Sequence, residues 1–220
     1  QGSEKDFPRV YRQINSALDE LRADAAPVPT PLQQLARISD FRLLVTLTPD
    51  DLLARALAAA DRAPNKIVHA PKLATTQSAD LADDWEASGS PVQLLYLFGR
   101  AMATPVYAVH DEDVLEYAHN VISRGSQVPT RFLDALRDRN LLLIGCNFPD
   151  WLSRFILRAT RKGRLAESRM ETREWLVDSL GTEDPFIGFL GQNSPGTEAL
   201  TNVEPAQFFF HRANHGVHVF

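Results

Sequence analysis

The chain is short of several things, and each shortage narrows what it can be. Cys146 is the single cysteine among 220 residues. One thiol cannot form an intrachain disulfide, and it suits a reducing, cytoplasmic setting. There is no basic excess: 23 Lys and Arg stand against 28 Asp and Glu, a formal charge of −5, so no overall positive field draws nucleic acid. No apolar run approaches the ~20 residues of a membrane span, and no charged-then-apolar leader opens the sequence. What is left is an ordinary globular composition, 44% hydrophobic and 23% charged. A chain of this length buries one real core, so one domain is expected over residues 4–215. The opening Gln1, Gly2 and Ser3 read as the remnant of a cleaved tag.

Helical periodicity puts Val10, Ile14, Leu18 and Leu21 on one stripe of residues 8–23. An Ala/Pro-rich loop leads to a short helix near 31–38. FRLLVTLT (41–48), KIVHA (66–70) and VQLLYLFG (92–99) read as strands. TPDDLLARALAAA (48–60), HDEDVLEYAHNVI (110–122) and PTRFLDALRDR (129–139) read as helices. LLLIG (141–145) is a strand, PDWLSRFILRATR a helix and EWLVDSL (174–180) a strand. Gly/Pro-rich turns and a helical segment around 205–213 close the chain. Strands alternate with helices, and the best strands are apolar without polar alternation, as in a parallel sheet covered on both faces. The expected fold class is α/β, a Rossmann-like three-layer sandwich with a mainly parallel sheet.

Ligands on such sheets lie beyond the carboxyl ends of the strands, and two junctions there have suitable chemistry. In TLTPDD, Thr48 is placed to cap the next helix, Pro49 suits its first position and Asp51 completes a capping box. In GCNFPD, Asn147 is placed to cap and Asp150 follows three residues later. Helix starts of this kind expose backbone N–H groups and a positive dipole end to a phosphate or carboxylate. The same caps serve helices that bind nothing, so the pattern leaves both readings open.

Four segments in order, VTLTPDDLLARAL, LYLFG, YAVHDEDVLEYAHNV and LLIGCNFPDWLSRFILR, span residues 41–165. Together they resemble the sirtuin-like (Sir-two-type) domains of bacterial defence proteins. They match that family's T-T-N-Y-D-D-L-L-E-R-A-L segment, its L-H-G turn, its "vlTeeDyley" segment and its G-Y-S-x-x-D turn. The resemblance implies a sirtuin-like domain of an antiphage or immune protein that takes NAD or an ADP-ribose-type nucleotide; separately, no metal is expected from the residues. It implies that Thr46, Thr48, Gly99, Gly145, Cys146 and Asn147 line the carboxyl edge, with Asp178 and Ser179 near the adenosine end.

Two departures from the family pattern bear on chemistry. In catalytic relatives the Asn of T-x-N positions the water or acceptor at the nicotinamide ribose; here that position is Thr48. The His of L-H-G accepts a proton from a ribose hydroxyl; here that position is Phe98. Phenylalanine accepts no proton, and threonine lacks the paired donor and acceptor of a carboxamide. Losing one general base costs ~10²–10⁴ in rate. The family's G-A-G-x-S pyrophosphate turn is also not visible before Thr46. The expectation is a catalytically degenerate domain that acts as a nucleotide sensor or oligomerisation module. The alternative is an NAD⁺ hydrolase with altered residues, Asp50 or Asp111 with His110. A third reading has Phe98 filling the pocket and the surface used for self-association.

Two other groupings stand out. Arg154, Arg158, Arg161 and Lys162, continued by Arg164, Arg169 and Arg173, form the one basic patch. It reads as the solvated face of a helix, or as a surface for phosphates or an acidic partner. His211, His215 and His218 have spacing that a metal could use, but no Cys or acidic residue joins them. The closing GVHVF resembles the first strand of a Toll/interleukin-receptor (TIR) domain, so 216–220 would begin a neighbour; a plain final strand is the alternative. The expected partners are further copies of the chain and a TIR or other effector domain, with no nucleic acid and no membrane.

Overall fold

Three four-residue strands make the first sheet of the computed structural model: β1 (Leu43–Thr46), β2 (Asn65–Val68) and β3 (Gln93–Tyr96). The order is β1-β3-β2, and both pairings are parallel, with Thr46 and Val68 each opposite Tyr96. The structure describes residues 7–23, 26–70, 80–102, 106–122, 129–144, 151–152, 155, 159, 174–177, 198–199 and 217–219. It divides into two units, Gln1–Arg131 and Phe132–Phe220. The helices are α1 (Phe7–Ala23), α2 (Thr30–Ala36), α3 (Leu52–Ala59), α4 (Asp111–Ile122) and α5 (Thr130–Asp138). Among the described residues no helix is long and apolar enough to cross a membrane.

The central strand explains its own sequence. All four residues of QLLY in β3 are buried, because a strand with neighbours on both sides and cover on both faces has no use for alternation. Leu44, Leu94 and Tyr96 pack with Ala36 of α2 and with Ala54, Ala56 and Leu57 of α3. The small alanines of LLARALAA let α3 lie close to the sheet. Arg62, just after α3, donates to the carbonyls of Ala36 (2.8 Å), Ile38 (2.6 Å) and Phe41 (2.6 Å). One guanidinium thus satisfies the end of α2 and the loop that feeds β1.

α1 departs slightly from its expected stripe. Tyr11 is buried, and Ile14 and Leu18 join it against Ala101, Tyr107 and Val109. Leu21, at the far end of the stripe, is 53% exposed. The last turn of α1 is held by charge instead: Arg22 Nε bonds Asp51 Oδ2 at 2.9 Å. The other end is tied by Tyr11, whose hydroxyl donates to Asp113 Oδ2 at 2.7 Å and whose carbonyl accepts from the Tyr107 hydroxyl at 3.0 Å.

The second unit holds a four-stranded parallel sheet. Its strands are β4 (Leu141–Ile144), β5 (Glu174–Val177), β6 (Glu198–Ala199) and β7 (Val217–Val219), in the order β4-β5-β7-β6. The GVHVF segment therefore supplies a strand between β5 and β6. Trp151, Leu152, Phe155 and Ala159 are helical, as the reading of PDWLSRFILRATR expects. The basic side chains Arg154 to Arg173, His211 and His215 lie outside the described residues.

Candidate functional site

The carboxyl ends of β1 and β3 meet through two backbone bonds. Leu97 N–H donates to the Thr46 carbonyl at 3.0 Å, and Ala101 N–H donates to the Pro49 carbonyl at 2.8 Å. The turns TLTPDD and LFGR are thereby one edge, which carries Thr46, Thr48, Phe98 and Gly99. Gly145, Cys146, Asn147, Asp178 and Ser179 lie outside the described residues.

The first turn is closed by its own side chains. Thr48 N–H donates to Thr46 Oγ1 at 3.3 Å, and the two hydroxyl oxygens are 3.0 Å apart. This corrects the expected cap. Helix α3 starts at Leu52 rather than at Pro49, with Asp51 at the cap position making no side-chain cap bond. Instead Asp50 Oδ1 accepts from Leu52 N–H at 2.9 Å. Thr48 does not cap because its hydroxyl faces back to Thr46, and the Asp51 carboxylate is taken by Arg22.

The second turn is shaped by Gly99, which has φ +79. A Cβ there would overlap the Val106 carbonyl oxygen and lie 2.5 Å from Tyr107 Cα. Gly99 and Tyr107 form an isolated antiparallel bridge, and Ala108 N–H donates to the Phe98 carbonyl at 2.8 Å. The glycine thus lets the chain itself return close by. Phe98 is 4% exposed, and its ring sits 6.3 Å from that of Tyr117. Arg100, next in sequence, places its guanidinium carbon 6.0 Å from the Tyr96 ring centre.

Residues that the sequence reading passed over complete this edge. His69 follows β2, and its N–H donates to the Tyr96 carbonyl at 3.1 Å. It is 1% exposed, its ring is perpendicular to Tyr117 at 6.1 Å, and among the described residues neither ring nitrogen has a hydrogen-bond partner. Burial pushes its pKa down to about 4; the nearby Tyr117 carbonyl, outside hydrogen-bond geometry, and the Asp80 charge oppose this only in part. The buried hydroxyls of Tyr96 and Tyr117 are likewise without partners among the described residues. The one signal in the sequence was a histidine directly after an apolar strand, in KIVHA.

At the start of α4, Asp113 Oδ2 accepts from the N–H groups of Val109 and His110, each at 3.1 Å, besides the Tyr11 hydroxyl. Burial alone would raise its pKa, but these three donors outweigh it and hold the carboxyl below its usual range. His110 and Asp111 are exposed. Among the described residues no three His, Cys, Asp or Glu are grouped to hold a metal.

The family model described as SIR2-like domain matches residues 42–183. The chain belongs to the SIR2-like domain family. The matched segment begins one residue before β1 and takes in all of the first sheet, β4 and β5. In this SIR2-like domain α1 and α2 precede the match, so the bonds from Tyr11 to Asp113 and from Arg22 to Asp51 tie a preceding segment onto it. No curated protein matches the chain.

Proposed function

We propose that this SIR2-like domain binds an adenine dinucleotide or ADP-ribose-type nucleotide at the carboxyl edge of its first sheet and does not hydrolyse it. The observation that carries the reading is Phe98, buried against Tyr117 where the resembled domains have their proton-accepting histidine. With no base at that position, a ribose hydroxyl keeps its proton. Thr48 is exposed beside Thr46 and offers a hydroxyl but no carboxamide. The groups present suit a hydroxyl-rich ligand: the two threonine hydroxyls and the polar atoms of His69 and Tyr117 that have no partner among the described residues.

The hydrolase alternative draws less support. Asp50 is engaged by the Leu52 amide, and the half-buried carboxylate at the start of α4 is Asp113, engaged by three donors, whereas Asp111 is exposed. The wider role proposed is that of a sensor or oligomerisation module in a cytoplasmic antiphage protein. It would work as a homo-oligomer beside a TIR or other effector domain. The four resembling motifs and the single Cys146 support that setting.

A ligand that binds only the folded state stabilises it by ~3 kcal/mol at a hundredfold excess over its dissociation constant. Millimolar NAD⁺, ADP-ribose or cyclic ADP-ribose should therefore raise the melting temperature by several degrees. No shift with any of the three would overturn nucleotide binding and leave self-association as the role.

A further inference from the structure

His69 and Tyr117 sit where packing alone would choose differently. His69 is 1% exposed and Tyr117 2%, and their rings meet edge to face at 6.1 Å. Phe98 meets Tyr117 from its own position at 6.3 Å. Among the described residues, both imidazole nitrogens and the Tyr117 hydroxyl have no hydrogen-bond partner. Among the described residues, each has given up its hydration without a well-formed hydrogen bond in return. Phenylalanine at either position would keep the ring packing without that loss.

The cluster also has a definite place. His69 lies one residue beyond β2 and is still in the ladder through its N–H to Tyr96, so it belongs to the same carboxyl edge as Thr46 and Gly99. Tyr117 comes from α4. The burial that keeps His69 neutral near pH 7 leaves its ring one donor and one acceptor, and the phenol offers one of each. A ribose diol presents the complementary set. The charged group acting on His69 is Asp80, whose carboxylate is already bonded by the amides of Leu81 and Arg131.

We infer that His69 and Tyr117 hydrogen-bond a ribosyl hydroxyl of the bound nucleotide, supplying from β2 and α4 the polar contact that Phe98 cannot supply from the end of β3. This rests on the nucleotide-binding reading above. In this arrangement His69 is a binding residue, and no proton transfer is required of it.

The test uses His69→Phe and Tyr117→Phe, which keep ring volume and remove only the unpartnered atoms. Dissociation constants for NAD⁺ and ADP-ribose are measured by calorimetry on the whole chain, with melting temperature without ligand as the second readout. Each variant should bind at least tenfold more weakly while melting, unliganded, at the same temperature or higher. A deoxyribosyl analogue lacking the contacted hydroxyl should lose similar affinity on the wild type and little more on the variants. Wild-type affinity in both variants would overturn the inference while leaving nucleotide binding intact, and would mean that these atoms hold an internal water or nothing. Absence of binding by the wild type would overturn the nucleotide reading and this inference with it. Should His69→Phe not fold, Tyr117→Phe alone decides.

Discussion

Gly99→Ala should abolish folding of the first unit, whereas Gly89→Ala should be tolerated. Both glycines have positive φ, +79 and +87. Both substitutions therefore place an L-residue in a backbone region that costs ~1–2 kcal/mol. They differ in what the new methyl meets. At Gly89 nothing lies within 4 Å of the added Cβ. At Gly99 the Cβ would strike the Val106 carbonyl and stand 2.5 Å from Tyr107 Cα, and both are backbone atoms that no rotamer change can move aside. Relieving the overlap means breaking the Gly99–Tyr107 bridge and the Ala108 bond to the Phe98 carbonyl. The combined loss is at least ~4 kcal/mol, a large part of a typical domain's stability. Soluble yield and urea denaturation of the two variants check this. Equal stability would mean that the return of the chain beside Gly99 is not as described.

The second large effect is a pH dependence that His69 imposes. In the unfolded chain its imidazole titrates near 6.5, and in the fold burial pushes it down to about 4. Above pH 6.5 both states are neutral and nothing is lost. Between 6.5 and about 4 the unfolded state takes a proton that the folded state refuses, so stability falls as pH falls. At 1.36 kcal/mol per pH unit the full loss is ~3 kcal/mol, reached near pH 4. Asp113 acts in a different window. Its folded pKa is depressed, so its contribution is present above its ordinary value of 3.8 and is lost only below it. Urea denaturation at pH 7 and at pH 4.5 should therefore show the wild type losing ~2 kcal/mol more than His69→Phe across that interval. The same loss in both would contradict a buried, neutral His69.

Much of this fold was legible because the signals are local. The apolar run QLLY marks β3, and Ile14 and Leu18 of the expected stripe lie on the packed face of α1, which Tyr11 completes instead of Leu21. The start of α3 was not legible. Thr48 and Asp50 both have side chains able to take an amide near that turn, and the outcome depends on Thr46 closing on Thr48. Sequence spacing does not report that choice. Gly99 was visible as a turn glycine, but its reason lies seven and eight residues on, at Val106 and Tyr107. Arg62 looks like any surface arginine until four carbonyls from the 36–41 segment converge on it. The threonine and Phe98 positions were singled out through the motif order. His69 did not, because a missing hydrogen-bond partner is a property of packing.

The central claim is binding without cleavage, and proton NMR of NAD⁺ mixed with the purified chain reports both halves at once. Saturation transferred from the protein to the ribose anomeric and adenine protons registers binding, and signals of free nicotinamide register turnover. The account predicts clear transfer and no nicotinamide beyond that of a protein-free control over a day. Sustained nicotinamide release, abolished by Thr48→Ala, would contradict it.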